Sequence, residues 1–345
     1  MANNPGEETS LPGGGGSSHR PLIFRLLTWL LTMACFYLVY SRIEAAALRE
    51  GLSVYGYLMA FFDEADWLYW LLLMIPYSVF FFLVDAHATW RTIRWFNAPD
   101  ITFSQVLPVR ASAYILSLVN EQVGKGAMSL YLLRRYDVPV WQAISSMIFL
   151  GMMEIYQLLL FSSVGVLLYM DLVDAASSIL PLAQILFGIY ILALCYFPLH
   201  LAYFSGRLLP DSGLRSREFL NAFVKARLKH YGMIVLFKAP NLIGAVLVYT
   251  LALDLFNVPV VFGQMLAFLP VIFLAAALPL PFHAGALVLW TVLFPDYPEV
   301  GVFSLVMHTF FVLFNACIGV LFLPRANREL FPGAEHADGG DQAAG

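Results

Sequence analysis

Charge is what this chain has least of. Only 12% of its 345 residues are Asp, Glu, Lys or Arg, against 60% hydrophobic ones, where soluble domains carry about 25% charged residues. With a mean hydropathy of +0.76, that shortage excludes an ordinary soluble domain and indicates a polytopic membrane protein. Cysteine is scarce too. Cys35, Cys195 and Cys317 each lie in a separate apolar run with no CxxC or Cys/His spacing, which excludes a disulfide framework and a zinc site. Basic residues are not in excess, the net charge being -4, so nucleic acid is not an expected partner. HExxH, GxSxG and GxxxxGK[ST] are all missing, leaving no motif for a metal, a cofactor or catalysis.

What is there is a series of long apolar runs. Residues 1–20 contain LPGGGGSS and read as a flexible tail. A first span covers Leu26 to Tyr40, with a signal peptide as the rival reading because Ala45–Ala47 could form a cleavage site. Further spans are expected at 67–88, 139–170, 179–203, 231–255 and 301–323, and residues 326–345 form a polar tail. Two segments break the pattern. Ile101–Asp137 is interrupted at Pro108 and Arg110 and ends in Asn120, Glu121, Gly124, Lys125 and Gly126. Val258–Phe294 is interrupted at Pro270, Pro279, Pro281, His283 and Gly285. A helix needs ~20 apolar residues to cross, so both segments are expected to dip in and return; kinked full spans are the alternative for both, and two true crossings in Val258–Phe294 would leave the topology parity unchanged.

The expected fold is therefore all-α, with about six full spans and two interrupted or re-entrant segments. Span, span, interrupted segment, span occurs in 21–174 and again in 175–325, and three crossings per half make the halves inverted repeats. In many transporters such paired breaks mark the substrate site. With both termini cytoplasmic, 17 of the 19 Lys and Arg residues fall on the inner side, as the positive-inside rule requires.

Polar side chains inside apolar runs are the candidate site. Arg110 and Lys238 are expected to hold an anionic lipid headgroup, with Lys125 beside them, Gly124 and Gly126 allowing close backbone approach, and Asn120 and Asn241 nearby. Glu154 is the expected charge partner of Arg110 or Lys238, a proton relay, or one end of a purely structural interhelical bond, since a charge at mid-membrane costs ~2.5–3.5 kcal/mol unless it meets a partner or a cavity. His283 is a titratable candidate or a simple capping residue. Asp85, His87 and Arg91 are only faintly reminiscent of phosphotransfer chemistry, and Asp63, Glu64 and Asp66 read as a solvated loop.

The run NEQVGKGAMSLYLLRRYDVPVWQAISSM, Asn120 to Met147, together with ALPLPFHAGALVLW near the end, resembles the lysylphosphatidylglycerol synthase transmembrane family, the flippase-like integral membrane proteins. Ala127 and Leu130 stand where that family commonly has Glu and Arg, and Val288 or Leu289 where it has an acidic residue. The resemblance implies a bacterial inner membrane and the movement or binding of an amphipathic lipid or lipid-linked substrate. The alternative is a non-catalytic membrane subunit holding an envelope-biosynthesis enzyme at the bilayer.

Overall fold

The computed structural model describes residues 19–118, 121–176, 181–278 and 280–330. Every regular element among them is helical. Six helices are long and apolar enough to cross a membrane: α1 (His19–Arg49), α3 (Trp67–Phe96), α6 (Val140–Leu168), α8 (Leu182–Phe204), α10 (Leu228–Asp254) and α13 (Val300–Leu330). Between them lie shorter helices α2 (Val54–Asp63), α4 (Phe103–Ser117), α5 (Glu121–Tyr136), α7 (Met170–Ala176), α9 (Asn221–Lys225), α11 (Phe262–Ala276) and α12 (Ala284–Leu293). The protein is an all-α integral membrane protein. Its first helix continues through Ala45–Ala47 to Arg49, and Asn120 and Pro279 lie outside the described residues.

Local chemistry starts several helices where they start. Asp66 caps α3 by accepting from the Tyr69 N–H at 3.2 Å, and Ser53 caps α2 through the Gly56 N–H at 3.1 Å. Ahead of α4, the Thr102 N–H donates to Gln105 Oε1 at 3.0 Å, one half of a capping box.

Both interrupted segments are helical hairpins, but their breaks are not at the first prolines. Pro108 and Pro270 lie inside α4 and α11, which run on past them to Ser117 and Ala276. Proline in a helix costs a hydrogen bond and frees the carbonyl four residues back. Around Pro270 that carbonyl, Leu266 O, is covered by Gly165 of α6, where a Cβ would come within 2.5 Å of it. Close backbone approach at glycine replaces part of what the proline removes. The second turn uses two left-handed residues in succession, Phe282 (φ 57°) and His283 (φ 50°).

The hairpins enter from opposite ends of the bundle. At the open end of α4/α5, Tyr136 Oη donates to Gln105 Oε1 at 3.1 Å and Trp90 Nε1 donates to Ile101 O at 2.9 Å, close to the Phe96 end of α3. At the open end of α11/α12, Phe268 meets Phe294 with ring centroids 5.6 Å apart, and Phe256 just before it lies 5.4 Å from Trp67 at the other end of α3. Each hairpin packs its first helix along the last long helix of the other half, α4 on α13 and α11 on α6, while α3 and α10 pack together at the centre. Gly319 makes the first contact possible by lying against Ala111 O. The segment around 207–229 forms a short 3-10 turn, Glu218–Leu220, and α9, both held on α6.

Candidate functional site

Asp85 sits on α3 and Lys238 on α10, each about three turns from the basic end of its helix. At ~1.5 Å per residue that is about 15 Å, half of a ~30 Å hydrocarbon layer. Arg110 comes to the same level on α4 and Glu154 on α6. Asp85 Oδ2 accepts from Arg110 Nε at 2.7 Å and from Tyr114 Oη at 2.8 Å, while Oδ1 accepts from Lys238 Nζ at 3.3 Å. Lys238 Nζ also donates to Glu154 Oε1. The Arg110 guanidinium lies 4.9 Å from the Tyr114 ring centroid.

Four helices thus contribute two carboxylates and two cations that sum to zero. Asp85 is the hub, since both cations reach it. Neutrality explains how four ionised groups persist at this depth, because each would otherwise keep its full desolvation cost. The four are unequally enclosed. The Asp85 side chain is 3% exposed and that of Glu154 35%, so Glu154 is the member with room to leave.

The structure therefore brings together Arg110, Glu154 and Lys238 of the residues singled out by sequence, with Asn241 close by. Asn241 Nδ2 donates to Phe81 O at 3.3 Å, and its Oδ1 is buried without a partner among the described residues. Gly124 lies in the α4/α5 hairpin, where a Cβ would come within 2.1 Å of Ser117 Oγ, whereas Gly126 faces open space. Asn120 and the Lys125 side chain lie outside what the structure describes. His283 sits apart from the cluster; its Nδ1 donates to Ala276 O at 3.0 Å and closes the second hairpin tip.

Asp85 is the residue that sequence reasoning undervalued. The signal was present, a carboxylate within the apolar run that follows Trp67, but its neighbours His87 and Arg91 drew attention to the helix end. Arg91 instead packs near the rings of Trp90, Trp95 and Phe237, 5.4–5.5 Å from each centroid.

Two hollows flank the cluster. An apolar groove of about 430 Å³ runs between α6, α8 and α10, with Val235 on its wall one turn from Lys238 and Met153 next to Glu154. A smaller cavity of about 200 Å³ lies under the second hairpin and includes Phe81, one turn from Asp85. No group of three or more metal-ligating side chains occurs among the described residues. No protein-family model matches this chain, and no curated protein or solved structure matches it either.

Proposed function

We propose that this protein is a transporter of the bacterial inner membrane that moves an amphipathic, anionic lipid or lipid-linked substrate between leaflets, with both termini in the cytoplasm. The observation that carries the reading is the neutral cluster of Asp85, Arg110, Lys238 and Glu154 at mid-depth, beside an apolar groove of about 430 Å³. Lys and Arg gathered at one end of the bundle support the orientation. The resemblance to flippase-like proteins points the same way.

Charge balance sets the mechanism. An anionic headgroup that takes Lys238 from Glu154 leaves the cluster at -1 unless a proton arrives with it. Glu154, the less enclosed of the two carboxylates, is where that proton goes. Substrate entry and proton uptake are then one event, and rocking of the inverted hairpins passes the neutral assembly to the other leaflet.

The test is scrambling of a fluorescent phosphatidylglycerol in liposomes, read by a membrane-impermeant quencher on either side of a pH step. Wild type should accelerate movement, Glu154→Gln should remove its pH dependence, and Lys238→Met should abolish it. No acceleration by folded wild type, or full activity in an Arg110→Gln, Lys238→Met double variant, would refute the proposal. One observation favours a second reading: both cations already have partners, as in a structural lock. A non-catalytic membrane subunit would then be expected, and it would co-purify with an envelope enzyme without moving lipid.

A further inference from the structure

The two halves place prolines alike, Pro76 in α3 against Pro240 in α10, and Pro108 in α4 against Pro270 in α11. Aligning each pair carries Asp85 onto Tyr249, Lys238 onto Met74 and Asn241 onto Tyr77. It carries Arg110 onto Ile272 and Tyr114 onto Ala276. All five of these counterparts line the cavity of about 200 Å³ under the second hairpin. That cavity is the pseudo-symmetric partner of the ion-pair cluster. Its charges have been replaced by aromatic and aliphatic groups, so it has a binding chemistry of its own.

Among the described residues no Asp, Glu, Lys or Arg lines it. Tyr249 stacks on Trp290 with centroids 5.7 Å apart and an interplanar angle of 15°, and Phe81 and Phe311 add further apolar wall. Five hydroxyl or imidazole side chains interrupt this surface; the Tyr77 and Ser304 hydroxyls already donate to Asn241 O and Gly301 O, which leaves three with bonding capacity to offer. His283 donates through Nδ1 to a carbonyl, which leaves its Nε2 as an acceptor in the neutral ring. The His308 ring lies 4.4 Å from that of His283 and, like the Tyr249 hydroxyl, makes no hydrogen bond among the described residues. The hairpin tip that presents His283 is held in two consecutive left-handed residues, a conformation that non-glycine residues keep only at a cost.

The geometry points to a second ligand site here, one for an uncharged, hydroxyl-bearing ring whose apolar faces lie against Trp290 and the phenyl rings while its hydroxyls bond Tyr249, His283 and His308. An anion would find no cation to balance it. A quaternary ammonium would gain from the rings but has no group to bond Tyr249, His283 or His308, whereas a hydroxyl-bearing ring can bond all three. The site stands whether or not the ion-pair cluster moves an anion.

Three amphiphiles with one tail and different heads decide the matter: octyl glucoside, octyl phosphate and octyltrimethylammonium, each added below its micelle concentration to full-length protein held in amphipol. Octyl glucoside should raise the unfolding midpoint at lower concentration than the other two. Tyr249→Phe removes a hydroxyl that bonds nothing among the described residues, so the variant should fold as wild type does. Combined with His308→Gln, it should weaken octyl glucoside at least tenfold and leave the other two unchanged. Tighter binding of the phosphate or the ammonium, equal binding of all three, no binding, or an undiminished glucoside preference in the double variant would each overturn the assignment. Lipid movement is not part of the readout, so this site can fail while the transport proposal stands, and the reverse.

Discussion

Lys238 on α10 reaches Asp85 on α3, Nζ to Oδ1 at 3.3 Å, across 153 positions of sequence. Each is the other's reason for surviving inside the membrane. The pair joins the two halves at the packing of α3 against α10, and Arg110 brings the first hairpin into the same contact.

Removing the hub should therefore cost most. Asp85→Asn leaves Arg110 with no carboxylate at bonding distance among the described residues, and breaking a buried pair this way costs ~3–5 kcal/mol. Glu154→Gln leaves Lys238 with Asp85 and touches a part-exposed group, so its cost is expected at about 1 kcal/mol or less. Thermal unfolding in a single detergent ranks the two. Asp85→Asn combined with Arg110→Gln should recover part of the loss, and a double variant no better than the sum of the singles would show the charges are not coupled.

Gly319 and Gly126 should respond in opposite directions to the same methyl group. At Gly319 a Cβ would meet Ala111 O at 2.6 Å and Ile115 Cγ1 at 2.8 Å, forcing α13 off α4 at ~1–3 kcal/mol. At Gly126, inside α5, nothing lies within 4 Å, and alanine should be neutral or stabilising by up to ~1 kcal/mol. Equal unfolding midpoints for Gly319→Ala and wild type would mean that α4 does not lie against α13 as closely as the structure shows.

Stability should fall with pH through Glu299. Burial raises its carboxyl above the usual glutamate range, and the Tyr57 hydroxyl, donating at 2.7 Å, opposes this only in part. The folded chain thus holds that proton more tightly than the unfolded one. Its contribution is complete below the unfolded value of about 4.3 and is lost as pH rises through the raised folded value. Unfolding midpoints followed over that rise should decline for wild type and lose that component in Glu299→Gln; parallel curves for the two proteins would count against it.

Orientation is open to labelling. In a chain with Cys35, Cys195 and Cys317 replaced by Ala, Leu52→Cys marks the acidic end and Ser216→Cys the basic end. A membrane-impermeant maleimide added to intact spheroplasts should modify the first and spare the second. The reverse pattern would place the termini outside.

Much of the fold was legible because lipid imposes a length rule. Runs such as Trp67 onward and Gly301 onward exceed ~20 apolar residues and must cross; 101–137 and 258–294 do not hold one such run each and fold back. Where they fold back was harder to read. Pro108 and Pro270 look like breaks, yet α4 and α11 continue past them, and at Pro270 a glycine of a helix from the other half covers the freed carbonyl. Arg110, Lys238 and Glu154 were visible as charges in apolar surroundings. Asp85, the shared partner of Arg110 and Lys238, was read together with His87 and Arg91 and so toward a different chemistry.

From the order of residues alone come the membrane class, the six long helices, the two short pairs and the polar groups that need company at depth, since each depends on local hydropathy or the desolvation of one side chain. Only tertiary structure decides which of those groups meet. Asp85, Arg110, Glu154 and Lys238 lie on four separate helices whose relative rotation is set by close backbone contacts such as Gly165 on Leu266 and Gly319 on Ala111. A pairing across such distances is a property of how helices pack, which no local stretch of sequence encodes.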